Sequence, residues 1–385
     1  MTKRILIVTN VPNPYRIALF NELNRQLATH NMELLVIFGA PGYIRRLSQT
    51  DMTQATFAYK ILSGGVYTSP ENTERTFFGY KGLMKEIRNY GPYRTIVIGF
   101  SPATIRLYLR SSIRNFKYII WAGSILREGR NDSALRKMMR KLLIKRAKAY
   151  IAYGSLARDY FTTMGAPADK VAVAINTSDP SFFITETDNI RNQEGPNYGD
   201  GKIHLLYIGY LVRRKNVGLL IDLIRLLSTR RNDFVLDIVG DGESREELEK
   251  KVSELNLNNF VKFHGFRQKS ELPRFLAKSN VFLFQTDFDV WGLTLNEAMA
   301  AALPVLSSVN AGATFDLVEN GVNGYAVDYT DTVHVAELLE QMLNDPTLAG
   351  KMGEAGRKIL IGKASLEISA AGFIDAIRIS EGDKR

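Results

Sequence analysis

Two carboxylates that stand eight residues apart mark the segment of this chain with the richest candidate chemistry. Asp289 precedes Gly292 and so lies in a turn, whereas Glu297 lies on the apolar helix expected to follow. The N–H groups of Gly292, Leu293 and Thr294 come at the start of that helix, where they lack intrahelical partners and attract anions. The spacing allows both acids to face one bound ligand together, with these N–H groups facing any phosphate that it carries. The alternative is that Asp289 only caps the helix and Glu297 is a surface residue, although an acid on an apolar helix needs a partner if it is buried.

A run of three cations follows an earlier apolar segment that ends at Gly209. Arg213, Arg214 and Lys215 stand directly before an expected helix. Cations beside the N–H groups of a helix start are suited to a diphosphate. A solvated basic turn is the simpler interpretation, and the run alone does not decide between them.

Two glycines of a dinucleotide fingerprint occur after a third apolar segment. Gly240 and Gly242 are in place, but Arg245 stands where the third glycine would fall. A tight turn between a strand and a helix explains this pattern, so it does not predict a nicotinamide dehydrogenase.

Taken in order, the pieces of the second half resemble the family 4 retaining glycosyltransferases, which have the GT-B architecture. The family pattern is an acid, seven residues and Glu-Ala-Met-Ala, then a Pro-Val strand, a glycine loop ending in an acid, and an Asn-Gly-x-x-Gly turn. The matching pieces are Asp289 with Glu297–Ala300, Leu303–Val305, Gly312 with Asp316, and Asn320–Gly324. In the first half, Asn10–Arg16 resembles the first strand-to-helix loop of one branch of the family, and Asn176–Asp179 resembles its element at the domain junction.

The resemblance implies a role for each matched residue of the second half. Lys215 matches the lysine that contacts the donor diphosphate, and Glu297 matches the acid that holds the ribose hydroxyls. Asp289 matches the acid that contacts the donor sugar, and Gly292, Leu293 and Thr294 match the backbone segment near sugar and phosphate. Phe266 stands where the family's main chain meets the base. The resemblance thus implies a nucleotide-sugar substrate with no cofactor and no metal.

Two positions of the second half depart from the family pattern. The first acid is usually Glu and is here Asp289, one methylene shorter. The arginine that usually partners the lysine falls at Tyr210, which leaves Arg213 or Arg214 as substitutes. We therefore expect Asp289, Lys215 and Arg214 to act in catalysis and Arg213 to help bind the donor.

The acceptor side is less defined. Many family members carry a histidine near the fourth strand, and the corresponding stretch here, Trp121–Ser124, has none. Tyr15 and Arg16, from the matched first loop, and Glu128 are the weak candidates for acceptor contacts, and Glu128 is equally compatible with an ordinary surface acid.

Short apolar segments rich in β-branched residues alternate with helical patterns along the whole chain, which predicts parallel sheets covered by helices on both faces. Two such alternations predict an α/β protein with two doubly wound Rossmann-like domains that face each other across a cleft, the GT-B arrangement. The expected domains are an acceptor-binding domain at 1–180 and a donor-binding domain at 181–367, with a C-terminal helix at about 368–385 packing back on the first. The polar segment 185–201 is expected to be a linker or an exposed loop.

The composition excludes some chemistry and suggests an anionic partner. The 385 residues include no cysteine and four scattered histidines, so neither disulfides nor a Cys or His metal site is expected. The formal net charge is +10, and the stretch 127–148 holds nine basic side chains against two acidic ones, a local charge of +7. This stretch predicts a basic amphipathic helix, which either has a solvated basic face or contacts an anionic membrane surface.

The N-terminus lacks the pattern of a secretion signal, and no apolar run reaches the ~18 residues that span a bilayer. We therefore expect a cytoplasmic protein, peripheral on the inner face of the plasma membrane if the basic helix binds there. The expected function is retaining transfer of a sugar from a nucleotide-sugar donor to a glycan or lipid-linked glycan in cell-envelope polysaccharide biosynthesis. The alternatives are a non-hydrolysing nucleotide-sugar epimerase and a non-catalytic nucleotide-sugar binder. A nucleic-acid binder rests on charge alone, so no nucleic acid is expected as a partner.

Overall fold

The structure is a computed structural model, and it describes residues 2–42, 50–68, 76–113, 116–126, 133–195 and 201–382. The chain divides into two compact units, one formed by Met1–Thr177 with Leu366–Arg385 and the other by Ser178–Ser365. The boundary expected from the sequence, between residues 180 and 181, lies close to this division.

The first unit is built on a parallel sheet of seven strands. Its strands are β1 (Lys3–Thr9), β2 (Met32–Phe38), β3 (Ala58–Ile61), β6 (Arg94–Ile98), β7 (Tyr118–Ala122), β8 (Ala149–Ala152) and β9 (Val171–Val173). Two further strands, β4 (Val66–Thr68) and β5 (Thr76–Phe78), pair with each other in a separate antiparallel sheet. The order across the sheet is β3-β2-β1-β6-β7-β8-β9, and all its neighbours are parallel. Six of these strands, β1, β2 and β6 to β9, are short apolar segments of the kind expected from the sequence. The sequence missed β3 to β5 because β3 is exposed along its whole length and lacks an apolar pattern.

Five helices connect these strands: α1 (Pro14–Thr29), α2 (Leu83–Tyr90), α3 (Pro102–Ile113), α4 (Ala134–Arg146) and α5 (Ser155–Thr163). Helix α1 begins at a proline in its first turn, where the missing N–H has no intrahelical partner to lose. It buries one face, which includes Ile17, Phe20 and Leu23, as expected for a helix that covers a sheet. Helix α4 lies within the stretch of the expected basic helix, and positions 127–132 of that stretch lie outside the described residues.

The second unit holds a parallel sheet of six strands: β10 (Ile203–Ile208), β11 (Phe234–Val239), β12 (Val261–Gly265), β13 (Val281–Phe284), β14 (Val305–Ser308) and β15 (Gly324–Val327). The order across the sheet is β12-β11-β10-β13-β14-β15. Strands β10, β11, β13 and β14 are buried almost throughout, which is why apolar residues predominate in β10, β11 and β13. Each unit thus has the expected parallel α/β architecture.

The helices of the second unit are α6 (Pro180–Glu194), α7 (Gly218–Ser228), α8 (Arg245–Glu254), α9 (Leu272–Lys278), α10 (Leu293–Ala300), α11 (Gly312–Leu317), α12 (Thr332–Asn344) and α13 (Pro346–Ala364). Helix α7 packs against α8 and α12, whereas α10 packs against α6 and α13. The two groups cover opposite faces of the sheet, as right-handed crossovers from β10 in both directions require.

The expectation of a linker at 185–201 is wrong for its first ten residues, because helix α6 extends to Glu194. Asp179 caps this helix by accepting from the N–H of Phe182, and Phe183 is fully buried. Arg191 donates to the carbonyl oxygens of Ala277 and Ala301. The helix is fixed largely by polar side chains, so it has little apolar periodicity to detect.

The last helix, α14 (Leu366–Glu381), belongs to the first unit. It packs on α1 and on β8 and β9. Gly372 allows this contact, because a Cβ there would lie 2.4 Å from the carbonyl oxygen of Val173. Residues 383–385 of the expected C-terminal helix lie outside the described part.

Candidate functional site

The candidate donor residues of the second unit lie where its strand order reverses, between β10 and β13. Strands β10 and β13 are neighbours, and the chain leaves β10 toward β11 on one side and leaves β13 toward β14 on the other. Loops that follow two such strands diverge and leave a crevice at their carboxyl ends, the usual ligand position in doubly wound sheets. The basic turn follows β10, and the segment around Asp289 follows β13.

The turn after β10 is fastened to the loop after β13 by backbone and side-chain bonds. Arg213–Lys215 form one 3-10 turn. The carbonyl oxygen of Arg214 accepts from the N–H of Asp287 at 2.9 Å, and its Nη1 donates to the carbonyl of Phe288 at 3.0 Å. Asn216 donates from Nδ2 to the Asp287 carboxylate at 3.1 and 3.2 Å. These bonds fix the distance between cations and acids that are far apart in sequence. The sequence analysis did not single out Asp287, although it is an acid only two residues before Asp289.

Lys215 and Asp289 form a nearly buried ion pair. Nζ of Lys215 lies 2.6 Å from Oδ2 of Asp289, and Nη1 of Arg214 lies 3.8 Å from the same oxygen. The other oxygen, Oδ1, accepts from the N–H of Trp291 at 3.2 Å. Burial acts to raise the pKa of Asp289, but the Lys215 and Arg214 charges and the Trp291 N–H outweigh it and hold that pKa below its usual range. Asp289 is therefore a carboxylate at neutral pH.

Arg213 is the member of the basic turn that stays outside this cluster. It is exposed, and its side chain makes no hydrogen bond or ion pair within the part of the chain that the structure describes. Its charge remains available to a ligand, but the structure brings together only Arg214, Lys215 and Asp289.

The start of helix α10 presents unbonded N–H groups beside this cluster. Gly292 has φ of 106°, and a Cβ there would lie 2.4 Å from the ring of Phe284, so only glycine fits. Within the described residues, the N–H groups of Gly292, Leu293 and Thr294 have no hydrogen-bond acceptor. Such groups at a helix start stabilise negative charge.

Glu297 lies in the second turn of α10. Its Oε2 atom is buried and accepts no hydrogen bond within the described ranges. Burial raises the pKa of Glu297 to about 7, and the charge of Lys269 opposes this only in part. The neighbouring Asn296 is buried and accepts from Nε1 of Trp291 at 3.0 Å, a bond that fixes the first turn of the helix and that the sequence analysis did not predict. A buried carboxylate oxygen without a donor is suited to accept hydroxyl groups of a ligand.

Phe266 directly follows β12 and is half-buried. The loops beside it are packed closely: a Cβ on Gly240 would lie 1.8 Å from the Gly209 carbonyl oxygen, and a Cβ on Gly242 2.3 Å from that of Leu211. The two glycines thus allow the loops after β10 and β11 to touch, which accounts for them without a dinucleotide.

The acceptor-side candidates of the first unit lie at the carboxyl end of β1, in the loop that leads into α1. Arg16 is buried, donates from Nη1 to Oγ1 of Thr9 at 2.5 Å and from Nη2 to the hydroxyl of Tyr153 at 3.1 Å, and its guanidinium lies 4.8 Å from the Trp121 ring centre. Tyr15 is half-buried, with its ring 5.6 Å from the same guanidinium. Thr9 and Tyr153 were not expected from the sequence.

No described carboxylate pairs with Arg16, and its Nε is buried without an acceptor in the same part of the chain. Glu128, the third candidate, lies outside the described residues. Between 2 and 382, with the gaps given above, no helix has the length and apolar character needed to cross a membrane.

The second unit matches a known family. Residues 187–359 match the model described as glycosyl transferases group 1. The chain is 26% identical over 240 residues to an alpha-D-kanosaminyltransferase of Streptomyces kanamyceticus, which covers 62% of this chain and 61% of the relative. It is 29% identical over 182 residues to the amylovoran biosynthesis glycosyltransferase AmsK of Erwinia amylovora, which covers 46% of this chain and 42% of the relative. The matches thus cover less than two thirds of either relative.

Solved structures extend the comparison to the fold of both units. The Anabaena protein Alr3699/HepE, crystallised in complex with UDP, has a TM-score of 0.73 and 18% identity over 98% of this chain and 99% of its own. A sucrose-phosphate synthase of Thermosynechococcus elongatus has a TM-score of 0.72 and 18% identity, with 98% of each chain covered. This chain therefore has the fold of GT-B glycosyltransferases, and its residues 187–359 resemble the glycosyl transferases of group 1.

Proposed function

We propose that this chain is a retaining family 4 glycosyltransferase that moves a sugar from a nucleotide-sugar donor to a glycan or lipid-linked glycan acceptor. The observation that carries the proposal is the arrangement in the second unit: Lys215 and Arg214 on Asp289, free N–H groups at the start of α10, and a buried Glu297 oxygen without a donor. The relative named for amylovoran biosynthesis supports the proposed role in the assembly of cell-envelope polysaccharide, and the cytoplasm is the proposed location.

Each part of the arrangement suits one part of such a donor. Glu297 would accept the hydroxyl groups of the ribose, since a carboxylate oxygen accepts hydrogen bonds and cannot donate them. The N–H groups at the start of α10 and the cations of the basic turn would receive the diphosphate. The base would lie against the main chain at Phe266. Because the solved HepE structure contains UDP, uridine diphosphate sugars are the first donors to test.

In the proposed reaction, the bond between the anomeric carbon and the diphosphate oxygen breaks, and its electron pair remains on that oxygen. Lys215, Arg214 and the helix-start N–H groups stabilise this developing charge. Asp289 orients the sugar and offsets positive charge at the anomeric carbon. The acceptor oxygen forms the new bond to the anomeric carbon, and its proton passes to an oxygen of the leaving diphosphate. These cations supply the charge that a divalent ion would otherwise provide, so we propose that transfer needs no metal.

The proposal is tested by measuring nucleoside diphosphate release with a panel of nucleotide sugars, with and without a mixture of glycan and lipid-linked acceptors. We expect acceptor-dependent release that persists in EDTA, with the glycosidic bond of the product keeping the donor's anomeric configuration by NMR. Inverted product would contradict retention, and loss of turnover in EDTA would contradict metal independence.

Lys251→Met is the matched control for Lys215→Met, because Lys251 pairs with Asp222 at 2.8 Å on the surface of the same unit. Both changes remove one cation from an ion pair, but only Lys215 lies in the site. The remaining outcomes identify the alternatives: a C2 epimer formed without acceptor indicates an epimerase, and donor binding without any turnover indicates a non-catalytic binder.

A further inference from the structure

Helix α4 carries a second apolar face that the fold of the first unit does not use. Leu143 and Ile144 are buried, whereas Leu135, Met138 and Leu142 are 70%, 55% and 47% exposed. At 3.6 residues per turn these three side chains form one stripe, about 160° around the helix from the buried pair. The sequence analysis predicted one amphipathic helix here and did not separate the buried pair from the exposed stripe. The stripe, called the ridge below, therefore points outward.

Helix α3, which packs against α4, extends this apolar surface. Leu109 and Ile113 stand four residues apart on α3 and are 55% and 84% exposed. Apolar side chains at this spacing lie on one face of a helix. Five large apolar side chains are thus exposed on two adjacent helices.

Cations flank the ridge. Lys137, Lys141 and Lys145 are exposed, and helix α4 contains no acidic residue. Within the described ranges the side chains of these three lysines make no hydrogen bond or ion pair. A row of unpaired cations beside an apolar stripe is the pattern of helices that lie in the interface of an anionic bilayer.

A basic cavity of about 520 Å³ lies where α3 and α4 end. Lys145, Lys148 and Lys170 line it together with Arg146, and no acid does. Arg146 donates from Nη2 to the carbonyl of Ser111 at 2.6 Å. The side chains of the three lysines have no hydrogen-bond or ion-pair partner among the described residues. The cavity that they line is called the lysine cavity below. Such a cavity has the charge to hold a phosphate.

The cavity and the ridge are continuous, because Lys145 flanks the ridge and lines the cavity, and Ile113 lines the cavity from the end of α3. Cations at helix C-termini also complement the helix dipole, which explains part of the charge. That explanation, like binding to a nucleic acid, gives no reason for an outward apolar ridge.

We propose that this surface of α3 and α4 docks on an anionic phospholipid bilayer, with the ridge inserted at the boundary of headgroups and acyl chains and a lipid phosphate in the lysine cavity. The proposal rests on the proposed function only for its purpose, since a lipid-linked acceptor would be found at such a surface. Binding is measured without turnover, so failure of one proposal is distinguishable from failure of the other.

The test is co-sedimentation of the whole chain with phosphatidylcholine vesicles that do or do not contain phosphatidylglycerol. We expect binding only to the anionic vesicles, weakened by salt. Replacing Leu135, Met138 and Leu142 with Gln should raise the lipid concentration for half-binding about a hundredfold, because three apolar side chains would no longer enter the interface. These positions are exposed, so the variant should fold normally.

Two matched controls separate insertion from charge. Replacing Lys145, Lys148 and Lys170 with Gln should weaken binding, whereas the same change at Lys250, Lys351 and Lys358, three exposed lysines of the second unit, should not. A tryptophan placed at Leu135 should shift its emission to the blue with anionic vesicles, and one placed at the exposed Ile361 should not.

Three results would overturn the proposal. Equal binding to vesicles without phosphatidylglycerol would contradict the role of the lysine cavity. Wild-type binding by the ridge variant would show that charge alone binds the vesicles. If RNA then displaced the wild type and the ridge variant from the vesicles equally, the partner would be a nucleic acid. Loss of vesicle binding in inorganic phosphate at unchanged ionic strength, with no blue shift at position 135, would identify a small-phosphate site.

Discussion

Nζ of Lys215 donates a 2.6 Å hydrogen bond to Oδ2 of Asp289, although the two residues stand 74 positions apart in the chain. Side-chain exposures of 7% and 19% place the pair mostly away from water. In the proposed reaction, a diphosphate at the basic turn would share Lys215 with this carboxylate. The pair would hold the lysine in position before the donor binds, so that little reorganisation would be needed as charge develops on the leaving group.

Lys215→Met should lower kcat by about two orders of magnitude, because the variant loses a cation that acts as the diphosphate leaves. Steady-state kinetics with the active donor would measure this, with Lys251→Met as the control that keeps wild-type rates. A change in KM alone would show that Lys215 only binds the donor.

Stability provides a separate check on the pair. Lys215→Met leaves Asp289 with Arg214 as its one nearby cation, so the free energy of unfolding should fall by roughly 3 kcal/mol. In the double variant Lys215→Met, Asp289→Asn, much of that loss should disappear. Urea denaturation of the two single variants and the double variant gives the coupling, and additive losses would contradict a direct interaction.

Glu297 should make nucleotide affinity depend on pH near neutrality. Burial raises the pKa of Glu297 to about 7, and only the carboxylate accepts from both ribose hydroxyls. Affinity for UDP, measured by calorimetry between about pH 6 and 8, should therefore rise with pH in the wild type. In Glu297→Gln it should stay constant over the same range. A pH profile that the substitution leaves unchanged would assign the dependence to another group.

The same shift predicts a stability effect of opposite direction. A carboxyl whose folded pKa is raised stabilises the fold most below its unfolded pKa of 4.5, and that stability is lost as pH rises through 7. Without nucleotide, Glu297→Gln should therefore gain stability relative to wild type across this interval. Equal pH dependence of the two proteins in urea denaturation would contradict the assigned pKa.

Asp237 should stabilise the second unit without acting on substrate. Its carboxylate accepts from Nδ1 of His204 at 2.5 Å and from Nε2 of His264 at 2.6 Å. Burial acts to raise the pKa of Asp237, but the two histidine bonds outweigh it and lower the pKa to about 2. Stability from a lowered pKa is present above the unfolded value of 3.8 and is lost as pH falls toward 2.

Asp237→Asn should therefore cost about 2 kcal/mol at pH 7, and the difference from wild type should narrow only in strong acid. Urea denaturation at neutral and at acidic pH measures both values. Donor affinity of the folded variant should not change, and a large loss of affinity would instead place Asp237 in the donor site.

Arg16 should affect the acceptor and not the donor. It lies in the first unit with Thr9 and Tyr153 as its acceptors, whereas the nucleotide site proposed above lies wholly in the second unit. Arg16→Lys keeps the charge but loses the fixed fork of donors, so transfer should fall about tenfold or more while UDP affinity is unchanged. Parallel measurement of transfer and of UDP binding checks this, and equal loss of both would indicate a general structural defect.

The candidate site residues around helix α10 could be predicted to lie near one another because they are close together in sequence. Asp289, Gly292 and Glu297 come within nine positions, and a helix start next to a turn arranges them by local geometry alone. Most strands were readable for a different reason: a parallel strand buried on both faces is an apolar run. The exposed strand β3 and the helix α6, which is fastened by Arg191, lack such signals and were missed.

Local sequence patterns are enough to predict the buried strands, the acids and glycine at the start of α10, and the presence of two α/β units. The contact between Lys215 and Asp289 depends on the fold, because it requires β10 and β13 to be neighbours and strand order is set by how the crossovers pack. The fold also decides which apolar face of α4 is buried. Leu142 and Leu143 are both apolar and adjacent in the sequence, but the packing of α4 on its neighbours buries Leu143 and leaves Leu142 exposed to solvent.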